Sequence, residues 1–429
     1  MTVGHKLVFQ RKETLKMSDF LMWCFAVWPL FWNIWGTFKI TTLIGPSISI
    51  YILWAITLMY ALLHRRLRIS YLFIWFAFLG VVAAESFRQP SLVIVDLSVI
   101  LCGVLFCIFA MNRNLNYQML IKCLFFCGLI ISISVIIDNT LGIFSNALIN
   151  LYTEEAKFVK LRLNVTGGLL PHTGSAGCYI FSGLAAYIIQ TRLKGKSGQR
   201  LGNWMMIIIF GISALLIQKR GFLVDAIVSI VLIKFIELSP DDLMAININI
   251  QNTIKKILLV LFVAVVVVFL YYRVELIHEA FDSLINRFTT EDGTMSGRTD
   301  LYSLAFSLYN GHTLTGIGWG RFRANTLGIF GVADATYSAH NVYIQLLCET
   351  GILGLGAFLL SAVSTLFYGI SKYRRIIVLD YYDKEKSILQ LGLFMQLFFL
   401  TYCMTGNPLY DYNFLITYFI GIIFALVPV

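Results

Sequence analysis

The sequence predicts an all-α, polytopic integral membrane protein with about twelve transmembrane helices. Three observations carry that expectation. The 429-residue chain is 58% apolar and only 13% charged, whereas soluble domains carry roughly 25% charged residues. Apolar runs of about 17–25 residues, each long enough to cross a bilayer, recur along its whole length. Those runs are continuous Leu, Ile, Val and Phe rather than the short alternating segments of a membrane barrel. The mean hydropathy of +0.79 agrees. No soluble domain interrupts the runs, so residues 1–429 read as a single transmembrane domain.

The first run, 18–37, follows a mostly polar segment, and no small-residue cleavage pattern comes after it. It therefore reads as a span rather than a cleavable signal peptide. Further spans are expected at 43–63, 70–86, 91–111, 119–138, 173–191, 203–219, 221–238, 257–273, 341–370, 387–405 and 412–428. Basic clusters punctuate them: Lys6, Arg11, Lys12 and Lys16 before the first, His64-Arg-Arg-Leu-Arg68 after the second, and Arg113 after the fourth. Arg192, Lys194, Lys196 and Arg200 follow the sixth, Lys255 and Lys256 precede the ninth, and Lys372, Arg374, Arg375, Lys384 and Lys386 follow the tenth. All of these fall on one side of the predicted topology, and the positive-inside rule makes that side, with both termini, cytoplasmic. The net charge of +10 is thus a topological signal, and membrane lipid rather than nucleic acid is the expected surround. The eight cysteines all lie in or beside apolar segments without C-x-x-C or metal-ligand spacing, so they read as small buried hydrophobes.

The opposite side carries two long loops, 139–172 and 274–340, and short ones near 86–90, 219–221 and 406–411. Loops above about 15 residues are usually functional or disordered. The larger one has helical apolar spacing at Leu276, Ile277, Phe281, Leu284, Ile285 and Phe288, which predicts a helix on the membrane surface. A second amphipathic stretch follows Ser296, with Leu301, Leu304, Ala305 and Leu308 on one face.

Cations on this outer side run against the topological rule. Arg162 lies in the first loop; Arg287, Arg298, Arg321 and Arg323 lie in the second. Arg287 reads as the end of the surface helix, snorkelling or pairing with Asp282. Lys219 and Arg220 sit in a turn between two spans, at the membrane edge, where an ionisable group is a functional candidate by default. Arg298 follows Ser-Gly and opens a helical stretch, so it is positioned. A guanidinium matches phosphate oxygens bidentately, which favours Arg220 and Arg298 over Lys219 as anion ligands. His340 closes the arginine-bearing loop and precedes Asn341; an imidazole there can move a proton near neutral pH. Arginine charge beside it, from Arg298 and Arg220, would lower its pKa. Glu349-Thr-Gly351 then breaks the apolar run after two turns, which predicts a separate half-helix over 341–349. His172 stands at a similar depth on the same side.

Other motifs carry less. Gly316-Ile-Gly-Trp-Gly320 lacks the Lys-Ser/Thr of a phosphate-binding loop and reads as a tight turn whose amides could face an anion. Asp241-Asp242 is cytoplasmic by this topology, and Glu291-Asp292, on the outer side, is a weak metal candidate. Asp96 and Glu85 read as a pair or as hydrogen-bonded buried carboxyls. No metal and no cofactor is expected.

Ser296-Gly-Arg298, then Gly316-Ile-Gly-Trp-Gly320-Arg-Phe, then His340-Asn341 followed by Glu349-Thr-Gly351, resembles the bacterial O-antigen ligase and polymerase superfamily. Arg162-Leu-Asn before Gly167 and Lys219-Arg220-Gly221 resemble the family's upstream arginine segments, although Asn164-Val165-Thr166 makes the former looser. The match is densest over 160–355. The resemblance implies a C-type glycosyltransferase architecture, GT-C-like, in the bacterial inner membrane with its site on the outer, periplasmic face. It implies an oligosaccharide donor on undecaprenyl pyrophosphate, attack by an acceptor sugar hydroxyl, inversion, and no metal. Carried over residue by residue, it implies Arg298 and Arg220 as functional arginines and His340 as general base. Arg162, His172, Lys219, Arg321, Arg323 and Asn341 are the further substrate-binding expectations. The expected partners are the lipid-linked donor and acceptor, with a flippase and a chain-length regulator. The outer loop Thr405-Gly-Asn-Pro-Leu-Tyr-Asp411 favours a polymerase of lipopolysaccharide or capsule repeat units over a ligase to lipid A core. A transporter of lipid-linked sugar is the reading from another class; the lack of internal repeats and the edge-placed cations weigh against it.

Overall fold

The structure is a computed structural model that describes residues 16–39, 47–63, 70–86, 90–111, 115–162, 166–194, 200–237, 272, 296–327, 336–379 and 383–426. Among these residues the chain is helical, with two isolated bridges, Phe38 to Tyr152 and Gly167 to Leu170, and no strand. In order the helices are α1 (Met17–Thr37), α2 (Ser47–Leu62), α3 (Ile74–Ser86), α4 (Pro90–Ala110), α5 (Tyr117–Leu141), α6 (Glu154–Arg162) and α7 (Thr173–Lys194). They continue as α8 (Arg200–Leu216), α9 (Arg220–Glu237), α10 (Ser296–Asn310), α11 (Arg321–Ala324), α12 (Val342–Leu379), α13 (Asp383–Tyr402) and α14 (Tyr412–Ala425).

Eleven of the twelve expected spans coincide with helices; the other, 257–273, falls almost wholly outside the described residues, as do Arg287, Glu291, Asp292 and the surface helix at 276–288. Among the described residues two helices, Tyr117–Leu141 and Val342–Ile377, are long and apolar enough to cross a membrane by length and composition. Shorter apolar helices at Ile48–Leu62, Ile74–Ala84, Ile94–Ala110, Gly202–Leu216 and Tyr412–Ala425 stand beside them.

Burial sorts the helices. In α14 every residue from Asn413 to Ala425 is buried, whereas α9 turns Val224, Ile227, Ile230, Val231 and Phe235 outward. Close contact between apolar helices relies on small residues where side chains would keep backbones apart. Thus α5 meets α7 at Gly128 and Gly183, and α13 meets α14 at Gly392 and Gly421. The cysteines behave as the sequence implies: all eight are free, and all but Cys24 are fully buried.

The bundle has two chemically distinct ends. At one, the Asn116 amide donates to Asp19 Oδ1 (3.1 Å), Arg192 donates to Gln390 (2.9 Å), and Tyr373 donates to Glu237 (2.6 Å). These are the neighbourhoods of the basic clusters. At the other, the Thr153 amide donates to the Thr37 carbonyl (2.8 Å), tying the loop after α5 to the end of α1.

Candidate functional site

The connection from α13 to α14, residues 403–411, organises the second end, because it touches the N-terminal turns of five helices. Ser175 of α7 donates to Asp411 Oδ2 (3.0 Å). Asp225, in the second turn of α9, accepts the Thr405 hydroxyl at 3.3 Å. Arg298 of α10 donates through Nη2 to the Thr405 carbonyl (3.5 Å). The Val342 amide at the head of α12 donates to the Cys403 carbonyl (2.8 Å). Asp411 itself caps α14 by accepting the Asn413 amide (2.9 Å). Helix N-termini present unpaired N–H groups and the positive end of the helix dipole. Their convergence gives this end of the bundle a fixed positive bias before any side chain is counted.

The cations add to it. Arg298 is half-buried, anchored on Thr405 as described. Arg220 opens α9 and is half-buried; next to it, a Cβ on Gly221 would lie 3.4 Å from the Thr405 hydroxyl. Lys219 precedes it in the turn, exposed, beside Gln218 at φ 50. His340 has φ 53. These two are the non-glycine residues at positive φ among the described residues, a conformation uncommon outside glycine that clusters at functional sites. His340 is exposed, yet loss of water around the ring on its protein side, then the charges of Arg298 and Lys219, push its pKa down to about 4. The lowering expected from arginine thus involves Arg298 together with Lys219. A neutral imidazole can accept a proton, and the neighbouring cations can hold an anion without metal.

The rest of the scaffold is built around Glu349. This carboxylate is fully buried in the first, short segment of α12, which ends at Gly351, a non-helical residue with φ 64 and ψ −166. The half-helix read from Glu349-Thr-Gly351 is therefore present. Glu349 Oε2 accepts the Gly320 amide (2.9 Å) and the Tyr410 hydroxyl (2.7 Å); Oε1 accepts the Phe322 amide (3.3 Å) and Gln345 Nε2 (3.1 Å). The Ile317 and Gly318 amides donate to the Cys348 and Glu349 carbonyls (3.0 and 2.8 Å). The Gly320 amide at the end of the Gly316–Gly320 turn is thus taken up by the protein's own Glu349 carboxyl. Trp319 donates to Asp96 Oδ2 (2.7 Å) and Tyr412 to Asp96 Oδ1 (2.9 Å), which makes Asp96 the hydrogen-bonded carboxyl of the sequence reading. The Glu85 side chain lies outside the described residues.

The amphipathic face of α10 also packs as expected. Leu301 and Ala305 form a small core with Phe322, Ala339 and Cys348, flanked by Leu304 and Leu308. That core seats Arg298 and His340 on one module. Asn341 caps α12, its Oδ1 accepting the Ile344 amide at 3.2 Å, so its side chain has a structural task. Arg321 and Arg323 lie on α11, where the exposed Arg323 donates to Thr336 (3.4 Å). His172 is exposed immediately before α7, with its carbonyl accepting the Ala176 amide (3.2 Å). Arg162 ends α6, and its side chain lies outside the described residues.

The loop after α5 hides a pair that the sequence reading missed. Lys160 Nζ lies 3.0 Å from Asp138 Oδ2, both side chains wholly buried. Lys160 also donates to Thr166 (3.0 Å) and to the Gly168 carbonyl (2.5 Å), and Thr166 donates to Asp138. Asp138 accepts the Phe144 and Ser145 amides (2.7 Å each). Asp138, Asp225 and Glu349 share one sequence signal: a lone carboxylate inside an apolar run, which membrane energetics marks for attention.

Residues 197–359 match a family model described as O-Antigen ligase. No curated protein matches the chain significantly. The matched segment spans Lys219-Arg220, Ser296-Gly-Arg298, the Gly316–Gly320 turn, His340-Asn341 and Glu349-Thr-Gly351. That match carries the chain's likeness, over residues 197–359, to the O-antigen ligase and polymerase superfamily.

Proposed function

We propose that the protein is a polysaccharide polymerase. It transfers a growing glycan from undecaprenyl pyrophosphate to a hydroxyl of a new lipid-linked repeat unit at the outer face of the bacterial inner membrane, with inversion. The observation that carries this reading is the placement of Arg298, Lys219 and His340 where five helix N-termini meet. A departing pyrophosphate develops negative charge that must be met electrostatically. In the proposed step Arg298 and Arg220 hold the diphosphate, with Lys219, Arg162, Arg321 and Arg323 as further substrate contacts. His340 accepts the hydroxyl proton as the new C–O bond forms and the bond to pyrophosphate breaks. Both termini would lie in the cytoplasm, and a flippase and a chain-length regulator are the natural functional neighbours. The surplus of cations makes a metal unnecessary on this reading, so purified enzyme should keep its activity in excess EDTA; loss restored by Mg²⁺ or Mn²⁺ would contradict it.

A second reading, transfer of a finished glycan to lipid A core or another acceptor, is favoured by the ligase description of the matched family. The length distribution of surface polysaccharide in cells lacking the protein separates the two. Single repeats capped on the acceptor support the polymerase. Long chains left on the carrier lipid support the ligase. Unchanged chains sink both.

A further inference from the structure

Gln345 stands one turn into α12 and is fully buried. Its side-chain amide can face its neighbours in one way. The Ala339 backbone N–H only donates, so the atom 3.1 Å from it is the carbonyl oxygen Oε1. Nε2 then donates to Glu349 Oε1 at 3.1 Å, and Gln345 Oε1 also accepts Asn407 Nδ2 at 3.1 Å. Asn and Gln orientations are fixed by such partners of unambiguous polarity. One amide therefore joins three segments: the residue before His340, the carboxylate that holds the glycine turn, and the 403–411 connection that carries the Arg298 contact.

His340 needs such support. Its left-handed backbone persists only where the surroundings impose it. On its C-terminal side, the Asn341 cap and the Val342-to-Cys403 hydrogen bond (2.8 Å) fix the chain. On its N-terminal side, the Ala339 amide is held by Gln345. The ring between these two anchors is the one on which the Arg298 and Lys219 charges bear.

We propose that Gln345 is a positioning residue for His340: it touches no substrate, and it sets the imidazole against the cation cluster by holding Ala339. This rests on His340 acting as the general base. The test is a double-mutant cycle with His340→Ala and Gln345→Met in purified enzyme turning over lipid-linked repeat units. Met keeps the volume and removes all three hydrogen bonds. Misplacing a catalytic group costs on the order of 10²-fold, so Gln345→Met should lose about that much in kcat, with KM for donor within about twofold. In the His340→Ala background the same change should cost less than about twofold, because there is no base left to misplace. An equal loss in both backgrounds, or a wild-type kcat for Gln345→Met, overturns the proposal while leaving the base intact. A wild-type rate for His340→Ala removes the base and this proposal with it. Should Gln345→Met fail to fold, Asn407→Ala, which removes one bond to the same oxygen, is read in the same cycle: loss only when His340 is present supports the proposal, and loss in both backgrounds or in neither overturns it.

Discussion

Gly316 and Gly351 interlock. Gly316, at φ 69, lies so close to the Glu349–Thr350 peptide that a Cβ would collide with it; Gly351, at φ 64, lies likewise against the Leu314–Thr315 peptide. The Ile352 and Leu353 amides at the break in α12 donate to the Thr313 and Leu314 carbonyls (3.0 and 3.3 Å). Two chain reversals are thus docked backbone to backbone.

Alanine at Gly316 or Gly351 should therefore destabilise strongly, by about 3 kcal/mol or more, since it combines a disfavoured positive φ with a backbone collision. Gly356, which has open space at its Cβ position and lies within α12, is the control: Gly356→Ala should be neutral or stabilising by about 0.5–1 kcal/mol. Thermal unfolding in detergent reads both. Equal midpoints for Gly351→Ala and wild type would show that the docking is slack.

Arg298→Ala and Arg220→Ala should each abolish polymer formation in vivo while leaving protein in the membrane at normal level. Lysine at either position should rescue poorly, because a point charge does not reproduce bidentate phosphate binding. Near-normal polymer from Arg298→Ala would take the pyrophosphate clamp out of the mechanism.

His340→Ala should lower turnover by about 10²–10⁴-fold, the usual worth of a general base, and keep donor binding. The pH profile carries a sign. With its pKa pushed down to about 4, the imidazole is neutral and competent above that value, so turnover should rise through about pH 4 and stay flat from pH 6 to 8. Between about 4 and the ordinary value of 6.5 the folded protein binds less proton at this site than the unfolded chain. His340 should therefore make the fold less stable as pH falls through that window. An activity limb centred near 6.5 would mean that Arg298 and Lys219 do not act on the ring.

Lys160→Met should cost about 3–5 kcal/mol, because it strands the Asp138 carboxylate without its counter-ion. Adding Asp138→Asn should recover part of that loss. A midpoint for Lys160→Met within experimental error of wild type would show that the pair contributes little.

Much of the helix order was legible because a span is a one-dimensional signal: α1, α5, α9 and α14 begin and end within a few residues of the apolar runs that announced them. The amphipathic face of α10 and the break at Gly351 were legible for the same reason. What escaped was everything carried by lone polar groups across long sequence separations. Gln345 is unremarkable in an apolar run until Asn407 and Ala339 are brought to it, and nothing local says that Lys160 reaches Asp138. The glycine turn was half legible: its tightness shows in the spacing, but the carboxyl that holds it, Glu349, is supplied by a different helix.

The meeting of five helix N-termini at 403–411 has a consequence for acid conditions. Peptide dipoles do not titrate, and guanidinium stays charged across the biological range. On the proposed reading, hold on the anionic donor is therefore indifferent to pH, while proton removal is not. An enzyme acidified below the His340 transition would remain loaded and stop, a stalled complex that restarts on neutralisation without having to recapture its lipid.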